Sequence, residues 1–185
     1  MEAFDIGRKH KILISEEQLQ RRIQELAAEI TRDYGGKNPV ILGTLKGSFV
    51  FLASLILKLD FDLQVDFISA RSYGSSDTTS GVVDLFKYLS VDIRDRHILL
   101  VEDIVDSGLT LRILLEDFGL AKPRSIDVIT LLNKTANRKV EVPIRYVGFD
   151  IESDFVVGFG LDYGEKYRNL PYIAVLNRES GREKS

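Results

Sequence analysis

At 185 residues with 44% apolar side chains, the chain is large enough to bury one substantial core. Its 25 Lys and Arg against 28 Asp and Glu leave a net charge of -3, which gives no general attraction for nucleic acid, although a local basic patch stays possible. The absence of cysteine excludes a disulfide framework and a thiolate metal site, and the opening MEAFDIGRKHK has no secretory-type apolar segment; with no run long enough to cross a membrane, a cytoplasmic protein is expected.

From the N-terminus, residues 12–14 read as a short strand or an extended arm. Ser15 followed by Gln18 is a capping-box pattern, and Leu19, Ile23, Leu26, Ala27 and Ile30 then share one face at helical spacing. The spacing predicts a packing helix ending near Gly35 and Gly36. Its charged face, residues 21–33, asks for no functional reading. Residues 39–45 (PVILGTL) predict the first central strand and residues 49–57 the helix after it. Between them Lys46, Gly47 and Ser48 form a strand-to-helix turn. Lys46 is either a solvated loop charge or an anion ligand, and Gly47 permits close backbone approach. Residues 63–70 alternate, 75–81 (SSDTTSG) are polar without an apolar anchor, and 82–88 resume an extended pattern. This predicts an antiparallel excursion around a long loop, which is either a loose tip or a lid that shields a reaction from water.

Residues 98–101 (ILLV) are an uninterrupted apolar run of the kind a strand covered on both faces requires. Glu102 and Asp103 come where such a strand is expected to end. After Ile104 and Val105 follow Asp106, Ser107, Gly108 and Thr110, and then Leu111, Leu114, Leu115 and Phe118 at helical spacing. The order is strand, acidic edge, Gly-containing turn, helix start, and in open α/β sheets ligands bind in that crevice. A Walker loop and a dinucleotide fingerprint are both excluded, the first for want of a lysine and the second for want of glycines. Backbone N–H groups and the hydroxyls of Ser107 and Thr110 suit a phosphate, whereas Glu102 and Asp103 suit a sugar diol or water-bound Mg2+. A phosphorylated ribose satisfies both halves; an ordinary acidic strand end is the bland alternative.

Downstream, Pro123 ends the helical region, and residues 125–132 (SIDVITLL) predict a buried strand with Asn133 and Lys134 at its carboxyl end. Residues 144–149 and 156–159 are further apolar segments, and 172–176 the final strand. Residues 177–185 are polar. Phe155 alone reads as core, and the two histidines, His10 and His97, as surface residues.

VEDIVDSGLTL, residues 101–111, resembles the phosphoribosyl diphosphate signature of the purine phosphoribosyltransferases, specifically their hypoxanthine-guanine branch, and the likeness extends over residues 15–176. It implies an α/β fold: one Rossmann-like, open, mostly parallel sheet flanked by helices, with a small hood over its C-terminal edge. Residues 1–185 would be a single domain, with a core over 37–150, a flexible loop at 72–81 and a hood from 1–15 and 150–180. The implied reaction moves 5-phosphoribosyl from 5-phosphoribosyl 1-diphosphate to N9 of a 6-oxopurine, yielding a nucleoside monophosphate and diphosphate in purine salvage, with Mg2+ as cofactor.

By the same resemblance Asp106, Lys46 and Arg168 act in catalysis. Leu45 and Gly47 line the diphosphate loop, where the peptide before Lys46 is cis, and Ser72 and Tyr73 belong to the lid. Glu102 and Asp103 lie under the ribose hydroxyls, and Ser107, Gly108, Leu109 and Thr110 cradle the 5'-phosphate. Lys134 meets the purine O6, Phe155 stacks on the base, the Val156 backbone meets its pyrimidine edge and Asp162 lies near its 2-position. Glu102, Asp103 and Asp162 are the metal residues. A homodimer or homotetramer is expected, without nucleic acid or membrane partners. A xanthine-preferring enzyme and a regulatory RNA-binding protein on the same fold are the alternatives; a clustered basic face would mark the second, and none is obvious in the sequence.

Overall fold

The computed structural model describes residues 10–69 and 89–176. Its main sheet has five strands in the order β3-β2-β4-β5-β6, all parallel: β2 Val40–Leu45, β3 Gln64–Ser69, β4 His97–Val105, β5 Ser125–Lys134 and β6 Tyr146–Ile151. Helices α1 (Glu16–Tyr34) and α2 (Phe49–Ile56) cover one face and α3 (Leu109–Leu120) the other.

The alternation of buried side chains explains the layering. Ile41, Leu99 and Ile129 enter a core shared with Leu19, Ile23, Leu26 and Ile30 of α1 and Phe51, Leu52 and Leu55 of α2. Their chain neighbours Val40, Leu42, Ile98, Leu100 and Val128 face the opposite way, against Leu111, Leu114 and Phe118 of α3. Both faces being covered, the strands are apolar without interruption, as parallel strands in such sheets must be. The capping box on α1 is present in both directions, with the Ser15 hydroxyl accepting from Gln18 N at 3.2 Å and the Gln18 side chain accepting from Ser15 N at 2.8 Å.

The charged face of α1 turns out to fasten the helix to the sheet. Arg22 donates to the carbonyls of Gly148 (3.1 Å) and Val147 (2.9 Å) in β6. Asp33 accepts from Tyr146 Oη (2.7 Å) and Arg145 (2.8 Å), and Asp127 accepts from Tyr34 Oη (2.7 Å) and Arg145 (2.6 Å).

A second, antiparallel sheet of three short strands, β1 (His10–Ile14), β8 (Ile173–Leu176) and β7 (Val156–Val157), brings together the two ends of the described chain. One expectation changes. The acidic pair does not follow β4 but lies within it, because β4 keeps pairing with β5 as far as Val105–Asn133. Residues 64–69 join the main sheet as β3, parallel to β2; the antiparallel return expected at 82–88, like the loop at 72–81 with Ser72 and Tyr73, lies outside the described residues. No described helix is long and apolar enough to cross a membrane.

Candidate active site

The site begins where two strands part. β2 and β4 pair from Val40–Ile98 to Gly43–Val101 and no further, while β4 continues along β5. Chain order reverses at this point in the sheet, since β3 lies on one side of β2 and β4 on the other, and such a switch point leaves a crevice at the strand ends. Thr44 spans the fork, donating through Oγ1 to Glu102 Oε2 at 2.6 Å. Burial pushes Glu102 up to about 8; the Thr44 bond opposes this and the neighbouring Asp103 carboxylate adds to it. Burial likewise pushes Asp103 up to about 6, against backbone N–H groups of Ile104 and Asp103 and the guanidinium of Arg168. Two adjacent carboxyls withdrawn from water, with a guanidinium acting on Asp103 alone, mark a candidate binding site.

The next turn is built against this pair. The Leu45–Lys46 peptide is cis. Ser48 is buried, its hydroxyl donating to Thr44 O at 2.7 Å. Gly47 is hemmed in on two sides: a Cβ there would collide with the Asp103 carboxylate, and its own carbonyl lies where a Cβ on Gly160 would be. Lys46 therefore leaves the turn toward the segment after Gly160, where its Nζ meets Glu165 at 3.0 Å.

Residues 106–110 form the second turn. Gly108 sits at φ +81° as the N-cap of α3, a left-handed conformation that glycine adopts without steric cost, and a side chain would approach Val140 O to 2.6 Å. The turn is braced from behind: Lys139 N and Val140 N donate to Ser107 O (3.0 and 3.2 Å), and Arg138 donates to Asp106 O (3.1 Å) and to the Asn133 side chain. In front of it lies a cavity of about 140 Å³ lined by Glu102, Ile104, residues 105–108, Thr110 and Leu111. Asp106 Oδ1 is buried and has no hydrogen-bond partner among the described residues. Leu109 is half-exposed on the first turn of α3.

Across the crevice, Lys134 is buried at the end of β5. Phe155 is half-buried, its ring edge-to-face with Tyr163 at 5.6 Å, and Val156 is in β7, the outer strand of the small sheet. Arg168 pairs with Asp162 (2.8 Å), donates to Gly160 O (2.8 Å) and reaches Glu165 at 3.2 Å, while its Nε is buried without a partner among the described residues. Sequence reasoning missed Thr44, Arg138 and Glu165. Arg138 had no signal beyond a basic run, and Thr44 gains its role only from the strand register. Glu165 stands between the assigned Asp162 and Arg168 with no sequence signal of its own.

A model of the phosphoribosyl transferase domain matches residues 13–164. The chain belongs to that family. Within it, the hypoxanthine-guanine phosphoribosyltransferase of Bacillus subtilis is 48% identical over 166 residues, 90% of this chain and 92% of that protein. The crystal structure of a hypoxanthine-guanine phosphoribosyltransferase from Bacillus anthracis superposes with a TM-score of 0.80 at 46% identity, over 90% of this chain and 97% of that one. A hypoxanthine phosphoribosyltransferase from Staphylococcus aureus gives 0.87 at 39% identity, over 97% and 99%. These likenesses put the chain in the hypoxanthine-guanine branch of the phosphoribosyltransferases.

Proposed function

We propose that the chain transfers 5-phosphoribosyl from 5-phosphoribosyl 1-diphosphate to N9 of hypoxanthine or guanine, releasing diphosphate. The observation that carries the assignment of the reacting centre is Asp106: a buried carboxylate oxygen with no partner, in the wall of the cavity formed by the phosphate turn. An unpaired buried acceptor costs about 1–3 kcal/mol, so a fold that keeps one has a donor to offer it from outside. Purine N7–H is such a donor. As N9 bonds to C1 and the C1–O bond to diphosphate breaks, positive charge builds on the base, and Asp106 accepts or stabilises the N7 proton.

The other residues take roles that fit their places. Ser107, Gly108, Leu109 and Thr110 hold the 5'-phosphate at the start of α3. Glu102 and Asp103 accept hydrogen bonds from the ribose hydroxyls and fix C1 against the base. Leu45, Lys46, Gly47 and Arg168 receive the leaving diphosphate. Lys134 donates to O6, Phe155 stacks on the ring, and Val156 and Asp162 meet the pyrimidine edge. Val156, in β7 of the small antiparallel sheet, and Phe155 just before it form a hood over the base, while Lys134 approaches from the end of β5 in the main sheet. Adenine, with an amino group at the 6-position, would set donor against donor at Lys134, the kind of mismatch that discriminates strongly.

Among the described residues no three His, Cys, Asp or Glu side chains form a ready cluster for a metal. The donor set nonetheless fits Mg2+, a hard cation that takes one or two carboxylates and completes its shell with water and substrate oxygens. Glu102, Asp103 and Asp162 would hold it, and the burial that raises both Glu102 and Asp103 favours a cation beside them. When bound, Mg2+ neutralises charge on the leaving diphosphate. We also propose self-association as a homodimer or homotetramer, supported by the apolar side chains of Phe49 and Leu57 left in water at the two ends of α2. The deciding experiment is a panel of hypoxanthine, guanine, xanthine and adenine, each with 5-phosphoribosyl 1-diphosphate and Mg2+, followed by diphosphate release. Turnover with adenine alone, or with none of the four, would overturn the reading; xanthine as the preferred base would move it to the neighbouring specificity.

A further inference from the structure

Lys46 and Arg168, the two cations assigned to the leaving diphosphate, converge on one carboxylate oxygen. Glu165 Oε2 lies 3.0 Å from Lys46 Nζ and 3.2 Å from an Arg168 guanidinium nitrogen. Nothing in the local backbone calls for a glutamate there. Tyr163 and Lys166 exchange backbone hydrogen bonds at 3.2 Å in both directions, closing a two-residue turn in which Gly164 has φ +58° and Glu165 φ +64°. Both central positions of such a turn favour Gly, Asn or Asp, and a glutamate in the left-handed region works against local preference. The turn is held at its other corner by Asp162, which accepts from Glu165 N at 2.9 Å and pairs with Arg168 at 2.8 Å. Its geometry delivers the Glu165 side chain, half-exposed, to the point where both cations meet.

We propose that Glu165 is a positioning residue that stands in for the diphosphate: its carboxylate holds Lys46 and Arg168 together in the absence of substrate and is displaced from them when diphosphate oxygens arrive. The inference rests on the phosphoribosyltransferase reading and deepens it. Three features make the exchange downhill for diphosphate. Both pairs are partly exposed, with side chains 56% and 49% accessible for Lys46 and Glu165, so neither is strong enough to resist a multiply charged anion. Arg168 Nε is buried with no partner, leaving donor capacity that one carboxylate does not use and a larger anion can. Glu165 itself can swing into water when released. The cost of holding the two cations together without substrate is thereby offset, and the cost of binding is a modest competition.

The sign of one measurement separates this role from a structural one. Glu165→Gln removes the competing charge at constant size, and Glu165→Asn does so with a residue that tolerates the left-handed φ, so the test does not depend on one variant folding. Binding of inorganic diphosphate with Mg2+ is measured by calorimetry on the full chain, at low and high salt. Both variants are expected to bind roughly three- to tenfold more tightly than the parent, the range that loss of two ion pairs at a half-exposed carboxylate gives. The gain should shrink at high salt as the pairs are screened. Equal binding would show Glu165 to be a turn residue only, and weaker binding would show that it props the cations for substrate; either result overturns the proposal. A parent chain that neither binds diphosphate nor turns over 5-phosphoribosyl 1-diphosphate would remove the underlying family-level reading as well, whereas a parent that does both, with variants that bind no tighter, would remove this inference alone.

Discussion

Gly47 and Gly160 offer a paired perturbation whose two halves should fail differently. A Cβ on Gly47 would land on the Asp103 carboxylate, the end of a side chain; a Cβ on Gly160 would land on the carbonyl of Gly47, which is backbone. A carboxylate can rotate away, a carbonyl cannot without moving its loop, and Gly160 at φ +101° also lies where a side chain strains the backbone. Overpacking costs about 1–3 kcal/mol, and Gly47→Ala belongs at the lower end because only Asp103 has to yield. For a chain of this size that is a loss of about 2–4 °C in Tm. The displaced Asp103, however, gives up its contacts with the backbone N–H groups of Ile104 and Asp103 and its place under the ribose, so KM for 5-phosphoribosyl 1-diphosphate should rise about tenfold or more, about 1.4 kcal/mol. Gly160→Ala adds backbone strain of about 1–3 kcal/mol to the same overpacking, which predicts a Tm loss at least twice as large. Thermal unfolding by circular dichroism and steady-state kinetics on both variants check this. A Gly47→Ala enzyme with the parent's KM, or one as destabilised as Gly160→Ala, would refute the idea that Gly47 is small for the sake of Asp103.

Asp106→Asn keeps the size of the side chain but removes its charge, and a drop in kcat of roughly tenfold to a thousandfold with both substrates still bound is expected; a kcat within twofold of the parent would return Asp106 to a purely structural role. Phe155→Ala should weaken purine binding by roughly 1–3 kcal/mol while leaving 5-phosphoribosyl 1-diphosphate binding nearly intact, as titration calorimetry with each ligand would show. For the opposite end of the sheet, the Tyr146 hydroxyl beside Asp33, helped by Arg145, holds its carboxyl below the ordinary 3.8. A depressed carboxylate contributes stability above its unfolded pKa and loses it as pH falls through the folded one. Tyr146→Phe should therefore cost about 1 kcal/mol at pH 7, with the gap from the parent closing as pH drops below 3.8 in urea titrations; a gap independent of pH would assign the loss to packing instead.

Much of this architecture was legible because its signals are local. The capping box at Ser15, the apolar stripe of α1 and the run at residues 98–101 each name their element within a few residues, and the signature at residues 101–111 names the family. What stayed hidden depends on register. Glu102 and Asp103 look like residues after a strand, since on one side β4 has lost its partner there; they are in fact inside it, since on the other side it has not. Thr44 reaches Glu102 only because Gly43 pairs with Val101. Arg138 braces the phosphate turn across 32 positions of sequence, and no composition or spacing reports a contact of that range.

The two ends of the sheet differ in how their polar groups are satisfied. At the N-terminal end, Asp33, Tyr34, Asp127, Arg145 and Tyr146 form a network in which each charge has an opposite charge or a hydroxyl within 2.8 Å. At the C-terminal end, Glu102 and Asp103 are raised by burial, Asp106 Oδ1 and Arg168 Nε lack partners, and the two diphosphate cations share one glutamate. The two buried carboxyls and the two partnerless buried atoms lower the stability of the free protein relative to an apolar or fully paired replacement. Under the function proposed above, a single ligand carrying hydroxyls, phosphates and a metal would satisfy them at once, so the groups that weaken the empty fold would be the ones that recognise the substrate.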